Sequence, residues 1–325
     1  MASPLPDRAA TRILFAHVAY RLSEAMAARG TGLASHEVRT LEDLKAAMPS
    51  ADVLVVSGLW RNELLDLAPR LRYVQSIGAG TDQFPKDSFR ARRIRLASAQ
   101  GVNEVAVAEH AIALILALAR QLHLARDHQA RRHWRGMIGD RAIREDEIGG
   151  KTLVIVGLGR IGNRLARLAR AFGMRVIGVR RDPALGACAA DEVVGQADLS
   201  TVLARADVLA LTCPLTPETQ GLIDAAALAA LRPGAVLVNV ARGRVVDEPA
   251  LIAALRSGRL DAAALDCVWE EPMPPDSPLW SFPQVLITPH TAGETRRYEE
   301  NVLDILLDNL DRLWSGRTDL RNAVV

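Results

Sequence analysis

Residues 152–162 read Thr-Leu-Val-Ile-Val-Gly-Leu-Gly-Arg-Ile-Gly, TLVIVGLGRIG. A short β-branched run enters Gly157-x-Gly159-x-x-Gly162, and a helical pattern follows over residues 164–172. Strand, glycine turn and helix in this order form the context a dinucleotide loop requires. Gly157 suits the tight turn, Gly159 lets the backbone approach a pyrophosphate, and Gly162 lets helix pack on strand. The helix start, at Arg160 and Ile161, offers free N–H groups and a positive dipole end to phosphates.

The next strand, residues 175–179, should end roughly twenty residues past the loop in an acid that binds a ribose 2′-hydroxyl. That count lands on Arg180, followed by Arg181, Asp182 and Pro183. Adjacent guanidiniums can hold a 2′-phosphate through charge-assisted bidentate bonds. The pair therefore points to NADP. Asp182 could instead serve NAD after a small shift of the loop, so NAD stays open.

Further from the loop, β-branched runs alternate with helical patterns. Residues 12–16, 51–57, 71–77 and 94–97 form a first series of strands. Residues 152–156, 175–179, 193–194, 208–212, 235–240, 262–266 and 285–288 form a second. Helices are expected over 105–120, 225–231, 249–257 and 296–314. Near-continuous apolar strands between helices imply α/β architecture, two doubly wound parallel sheets covered on both faces. A chain of 325 residues fits two such domains. No internal repeat stands out, and the Arg- and His-rich residues 119–144 read as a solvated helix and loop.

Composition narrows the function classes. A net charge of +2 gives no reason to expect nucleic acid or a membrane surface. The cysteines Cys188, Cys213 and Cys267 are odd in number and widely spaced, which argues against disulfides or a zinc site and fits a cytoplasmic protein. No metal site is expected. The N-terminus lacks a charged leader before an apolar core. The apolar run around residues 106–119 carries Glu109 and His110 and falls short of the roughly 18 residues a membrane span needs.

Three consecutive strand ends carry chemistry. Arg242 follows Asn239-Val240-Ala241, Asp266 and Glu271 follow the next strand, and His290 follows the last. Ligands gather at the carboxyl ends of open parallel sheets. Arginine can hold a carboxylate, and a histidine oriented by a carboxylate can exchange a proton near neutral pH. This suits hydride transfer assisted by a protein proton. Alone, Arg242 could cap a strand and His290 could be structural.

VGLGRIG, CPLTPET, LRPGAVLVNVARGRVVDEPAL, ALDCVWEEP and TPHTAG closely resemble the D-isomer-specific 2-hydroxyacid dehydrogenase family. That family's Arg, Glu and His follow at spacings of about 29 and 19 residues, which Arg242, Glu271 and His290 match. The resemblance implies that Arg242 holds the substrate carboxylate and polarises the carbonyl. It makes His290 the general acid or base, with Glu271 its partner. Ser76–Asp82 looks like the substrate loop, so the backbone of Ala79 and Gly80 would bind the carboxylate. Asp266 would meet the nicotinamide carboxamide, and Cys213, Pro214, Ala241 and Gly293 would line the cofactor. Cys213 reads as a packed small residue, because hydride transfer needs no thiol.

The family also implies a Rossmann cofactor domain, residues 103–290, inserted in a flavodoxin-like substrate domain, residues 1–102 and 291–325, and a homodimer. The segment with Trp134 is the expected dimer contact. Basic residues at Arg180, and Asp276–Trp280, resemble the glyoxylate and hydroxypyruvate reductases of the family that prefer NADP. Glu271 argues against formate dehydrogenase, which carries Gln there. A regulatory C-terminal domain is not expected. The expected function is reduction of a small 2-keto acid to a 2-hydroxy acid with NADP(H). The alternatives are an NAD-dependent dehydrogenase of another substrate and a non-catalytic dinucleotide-sensing corepressor. A short-chain dehydrogenase is excluded, since neither Tyr20, Tyr73 nor Tyr298 has Lys four residues on. Trp60 is expected either to border the substrate pocket or to pack beneath it.

Overall fold

The computed structural model describes residues 5–325. Residues 1–4, part of the N-terminal stretch read above for a leader, lie outside them. The chain divides into two compact units. The chain through Asn103 joins Thr295–Val325 in one, and Glu104–Glu294 forms the other.

The first unit holds β1 (Arg12–Ala16), β2 (Ala34–Val38), β3 (Val53–Val56), β4 (Tyr73–Ser76) and β5 (Arg95–Ala97). They form one parallel sheet in the order β2-β1-β3-β4-β5, the flavodoxin-like arrangement. Every residue of β3 and β4 is buried, as central parallel strands covered on both faces require. β2 was not anticipated. Its sequence, ASHEV, has no apolar run, because it is an edge strand paired only with β1 and mostly in contact with solvent.

The last helix, Tyr298–Trp314, buries Val302, Leu303, Ile305, Leu306 and Leu310 in one core with Phe15, Val55 and Tyr73. That apolar stripe places the C-terminal segment in the first unit. A buried polar trio lies within the same core. The Asn309 amide donates to the Tyr73 hydroxyl (2.9 Å), which donates to Gln75. Asn309 also exchanges bonds with the Arg321 backbone (2.7 and 3.1 Å). Trp60 is buried against Phe84 and Phe89, with ring centroids 5.1 and 5.4 Å away. Its ring packs within this unit's core.

The second unit holds β6 (Thr152–Val156), β7 (Arg175–Arg180), β8 (Glu192–Gly195), β9 (Val208–Leu211), β10 (Ala235–Asn239), β11 (Leu260–Leu265) and β12 (Val285–Ile287). The parallel order β12-β11-β10-β9-β6-β7-β8 is that of a Rossmann sheet extended by one strand. Strand order reverses between β6 and β9, the position where doubly wound sheets bind ligands. Helix Arg160–Ala171 starts directly from the glycine loop. Helices Ala225–Ala230 and Glu248–Arg256 are capped by Asp224 and Asp247, whose carboxylates accept from Ala227 and Ala250 N–H (2.8 and 2.9 Å).

Helix Glu104–Ala119 buries Val107, Ala108, Ala111, Ile112 and Ile115. The chain then bends by 69° into Leu122–Ala130, which buries nothing. Beyond it Trp134 and Met137 stand fully exposed. Among the described residues no single helix is long and apolar enough to cross a membrane. No group of His, Cys, Asp and Glu among them could hold a metal ion.

Candidate active site

The glycine loop is built against the end of β9. Gly157 has φ 103°, and a Cβ there would lie 2.5 Å from the Cys213 nitrogen. A Cβ at Gly162 would lie 2.4 Å from the Gly157 carbonyl oxygen, so neither site admits a side chain without rebuilding the turn. The Thr212 hydroxyl donates to that same carbonyl (2.7 Å). Cys213 and Pro214 are thereby pressed beside the loop. Gly159 differs, since a Cβ there would meet nothing within 4 Å. Its constraint is the open space before the N–H groups of Arg160 and Ile161, a shape and polarity that fit a pyrophosphate. Asn163, not singled out from sequence, donates to the Leu158 and Gly159 carbonyls (3.3 and 2.8 Å) and holds the loop.

β7 runs one residue further than expected, and Arg180 pairs with Gly195 of β8. The Arg180 Nη1 donates to the Gly186 carbonyl (3.2 Å) and contacts Cys188 Sγ (3.8 Å). Its Nε and Nη2 make no hydrogen bond among the described residues. Arg181 is exposed and faces Glu218. The Glu218 carboxyl is held below its ordinary value, first by the Thr216 hydroxyl and in smaller part by Arg181. The Asp182 Oδ1 accepts from Ala184 N–H (3.0 Å) and caps the short turn Pro183–Leu185. The carboxylate that could have taken a ribose hydroxyl is thus turned toward its own loop.

β10, β11 and β12 are neighbours, in register Asn239↔Leu265↔Ile287, so their ends lie side by side. Buried Asn239 shapes the turn after β10. Its Oδ1 accepts from Ala241 N–H (3.0 Å) and its Nδ2 donates to the Arg242 carbonyl (3.1 Å). The Arg242 Nη1 donates to the Ala241 carbonyl (2.7 Å). A Cβ at Gly243 would lie 1.8 Å from the Val268 carbonyl oxygen. The loops after β10 and β11 therefore touch, and their contact brings Arg242 toward Glu271. Glu271 accepts from Val268 N–H at Oε1 (3.1 Å) and meets His290 Nδ1 at Oε2 (2.7 Å).

The pair polarises itself. Its Glu271 bond raises the His290 pKa; burial and Arg242 oppose, but the net shift is upward. Burial pushes the Glu271 carboxyl up, yet His290, Val268 N–H and Arg242 together bring it below its ordinary value. A carboxylate only accepts, so His290 Nδ1 carries the hydrogen and Nε2 is the atom left to exchange a proton. His290 itself sits at φ 56°, a left-handed backbone that costs about 1–3 kcal/mol outside glycine.

Asp266, 2 % exposed, secures that turn. Its Oδ1 accepts from the Thr288 hydroxyl (2.6 Å) and Thr291 N–H (3.0 Å), and its Oδ2 from Ala292 N–H (3.1 Å). Gly293 follows directly. Neither Thr288 nor His110, whose Nε2 lies 3.0 Å from the Thr288 hydroxyl, was read from sequence as a site residue. The only signal at Thr288 was its place in TPHTAG. Burial raises the Cys213 thiol to about 11 and pushes Cys267 well up, so neither is a thiolate near neutral pH.

In the first unit, Ala79 and Gly80 follow β4. The Ser76 hydroxyl donates to the Gly78 carbonyl (3.0 Å), and the Tyr298 hydroxyl donates to that of Ile77 (2.9 Å). The N–H groups of Ala79 and Gly80 have no hydrogen-bond partner among the described residues.

Residues 112–292 match the family model described as D-isomer specific 2-hydroxyacid dehydrogenase, NAD binding domain. The chain is 41% identical over 261 residues to a D-3-phosphoglycerate dehydrogenase of Mycobacterium leprae, covering 79% of this chain and 48% of that one. It thus spans about half the length of that relative. It is 37% identical over 278 residues to glyoxylate/hydroxypyruvate reductase B of Yersinia pestis, covering 84% of each. A D-isomer specific 2-hydroxyacid dehydrogenase from Xanthobacter autotrophicus, solved with NADPH and MES, superposes with TM-score 0.78 at 28% identity over 98% of both chains. A glycine loop at the sheet's switch point, an Arg, Glu and His on three adjacent strand ends, and these matches agree: the chain belongs to the D-isomer specific 2-hydroxyacid dehydrogenase family.

Proposed function

We propose that this chain is an NADP-preferring reductase of small 2-keto acids such as glyoxylate or hydroxypyruvate, working as a homodimer. The observation that carries the reading is the Glu271–His290 bond beside Arg242, on three neighbouring strand ends of a dinucleotide-binding sheet. When bound, the nicotinamide supplies or accepts the hydride. Arg242 holds the substrate carboxylate and polarises its carbonyl, and the N–H groups of Ala79 and Gly80 are donors suited to a substrate carboxylate. His290 gives its Nε2 proton to the carbonyl oxygen, so hydride and proton together make the hydroxyl. Glu271 keeps the imidazolium populated and aligned through Nδ1. The reverse reaction uses the neutral ring as base.

The 2′-phosphate falls to Arg180 and Arg181, and the turned-away Asp182 supports that assignment. Gly157, Gly159, Arg160, Ile161 and Gly162 would hold the cofactor's pyrophosphate. Cys213, Pro214, Ala241 and Gly293 would line the cofactor, and Asp266 would meet its nicotinamide carboxamide.

A second reading, an NAD-dependent dehydrogenase of phosphorylated hydroxy acids, is favoured by the similarity to the phosphoglycerate enzyme. One assay separates them: kcat/KM for NADPH and NADH with glyoxylate, hydroxypyruvate and 3-phosphohydroxypyruvate. The proposal expects the highest value with NADPH and an unphosphorylated acid. Preference for NADH would overturn the cofactor assignment, and preference for the phosphorylated acid the substrate. His290→Ala should lower turnover by more than about a hundredfold, the range of general acid catalysis, while still binding NADPH. Retained turnover would sink the mechanism.

A further inference from the structure

A line of hydrogen bonds runs from helix Glu104–Ala119 to the turn that carries His290, and its direction can be worked out by counting protons. Asp266 Oδ1 accepts from Thr291 N–H (3.0 Å), and Oδ2 accepts from Ala292 N–H (3.1 Å), so this carboxylate acts as an acceptor. The single hydroxyl proton of Thr288 therefore points at Asp266, 2.6 Å away. Only lone pairs remain on Thr288 Oγ1 for His110, so His110 Nε2, at 3.0 Å, must be the donor. The direct His110–Asp266 separation, 3.6 Å, is too long for a hydrogen bond, so Thr288 is the link.

What this line holds in place is the reacting side chain. Thr288, Thr291 and Ala292 bracket His290, whose backbone is left-handed and whose N–H donates back to the Thr288 carbonyl (2.9 Å). Such a turn persists only when its surroundings over-determine it. Asp266 grips it from β11, and His110 grips it from a helix whose neighbouring residues Ala108, Ala111 and Ile112 are buried. The side chain of His110 is three-quarters buried.

We infer that His110 is a positioning residue of the proposed reaction: through Thr288 and Asp266 it sets the turn that aims His290. Its effect runs through the turn that carries His290. This rests on the proposed reductase reading, and the test keeps the two apart. His110→Leu removes the donor, whereas His110→Gln offers an amide N–H at similar reach; Thr288→Val and Thr288→Ser do the same at the link.

With NADPH and glyoxylate, His110→Leu should lower kcat roughly tenfold, the loss expected when a catalytic group is slightly misplaced. KM and the NADPH dissociation constant should stay within about twofold, as expected when only the transition state is affected. His110→Gln should recover most of the loss. His110→Leu added to Thr288→Val should cost nothing further, since the line is already cut.

Independently of turnover, the low-field Nδ1–H resonance of His290 against Glu271 should shift or broaden in the Leu variant and return in the Gln variant. A Leu variant with wild-type kcat and an unchanged His290 resonance would overturn the inference. So would a loss seen equally in KM and melting temperature that Gln does not rescue. If the wild type reduces no keto acid, the function fails, and the resonance alone decides the positioning.

Discussion

Replacing Arg180 with Ala tests the cofactor assignment most sharply. The guanidinium is held by Nη1 alone, through the Gly186 carbonyl and Cys188, which leaves the donors on Nε and Nη2 for a ligand. A hydrogen bond to a charged group contributes roughly 1.5–3 kcal/mol net. Arg180 is only half-buried at a strand end, so water and salt screen it and the lower figure applies. About 1.5 kcal/mol is close to tenfold in affinity.

The Arg180→Ala variant should therefore bind NADPH about tenfold more weakly, with NADH binding within about twofold and kcat at saturation little changed. Titration of cofactor fluorescence at two salt concentrations measures both terms, and the proposed preference for NADPH should shrink at high salt. Arg180→Asp should go further, turning the preference toward NADH. Equal weakening of both cofactors would refute the reasoning, because Arg180 would then act by holding the loop through Gly186.

Glu271→Gln should bring the raised pKa of His290 back toward its ordinary value. The imidazolium is favoured in the folded protein, so its stabilisation is complete below the unfolded value of about 6.5 and fades as pH rises through the higher folded value. Reduction needs that imidazolium, so the alkaline fall in kcat/KM should begin at lower pH in the variant; superimposable profiles would contradict the pairing. Tyr73→Phe leaves the buried Asn309 amide and Gln75 short of a partner and should cost about 1–3 kcal/mol. Calorimetry should show a lower melting temperature with activity per folded molecule intact, and an unchanged midpoint would mean the trio contributes nothing.

The fold was legible wherever burial demands apolar runs. VLVV at residues 53–56, TLVIV at 152–156 and AVLVN at 235–239 are central strands, and their composition follows from being covered on both faces. It was illegible at β2, where solvent on an edge strand lets ASHEV pair as well as any apolar run. The grouping of Arg242, Glu271 and His290 was readable because strand ends in a parallel sheet share one edge, so order along the chain becomes proximity in space. Arg180 was readable for a similar reason, as the last residue of the strand after the glycine loop.

The sequence by itself therefore determined the class of each sheet, the glycine loop, and which residue types stand at the ends of β10, β11 and β12. Tertiary structure alone decided how those ends are set. Only there does the Asp182 carboxylate turn onto Ala184 N–H. Only there does Asn239 fold the Arg242 turn, and only there does His110 meet Thr288 across 178 positions of chain. The physical reason is that periodicity and burial act along a segment and leave their mark on its composition. A single directed hydrogen bond between distant side chains depends on register and packing, and leaves none.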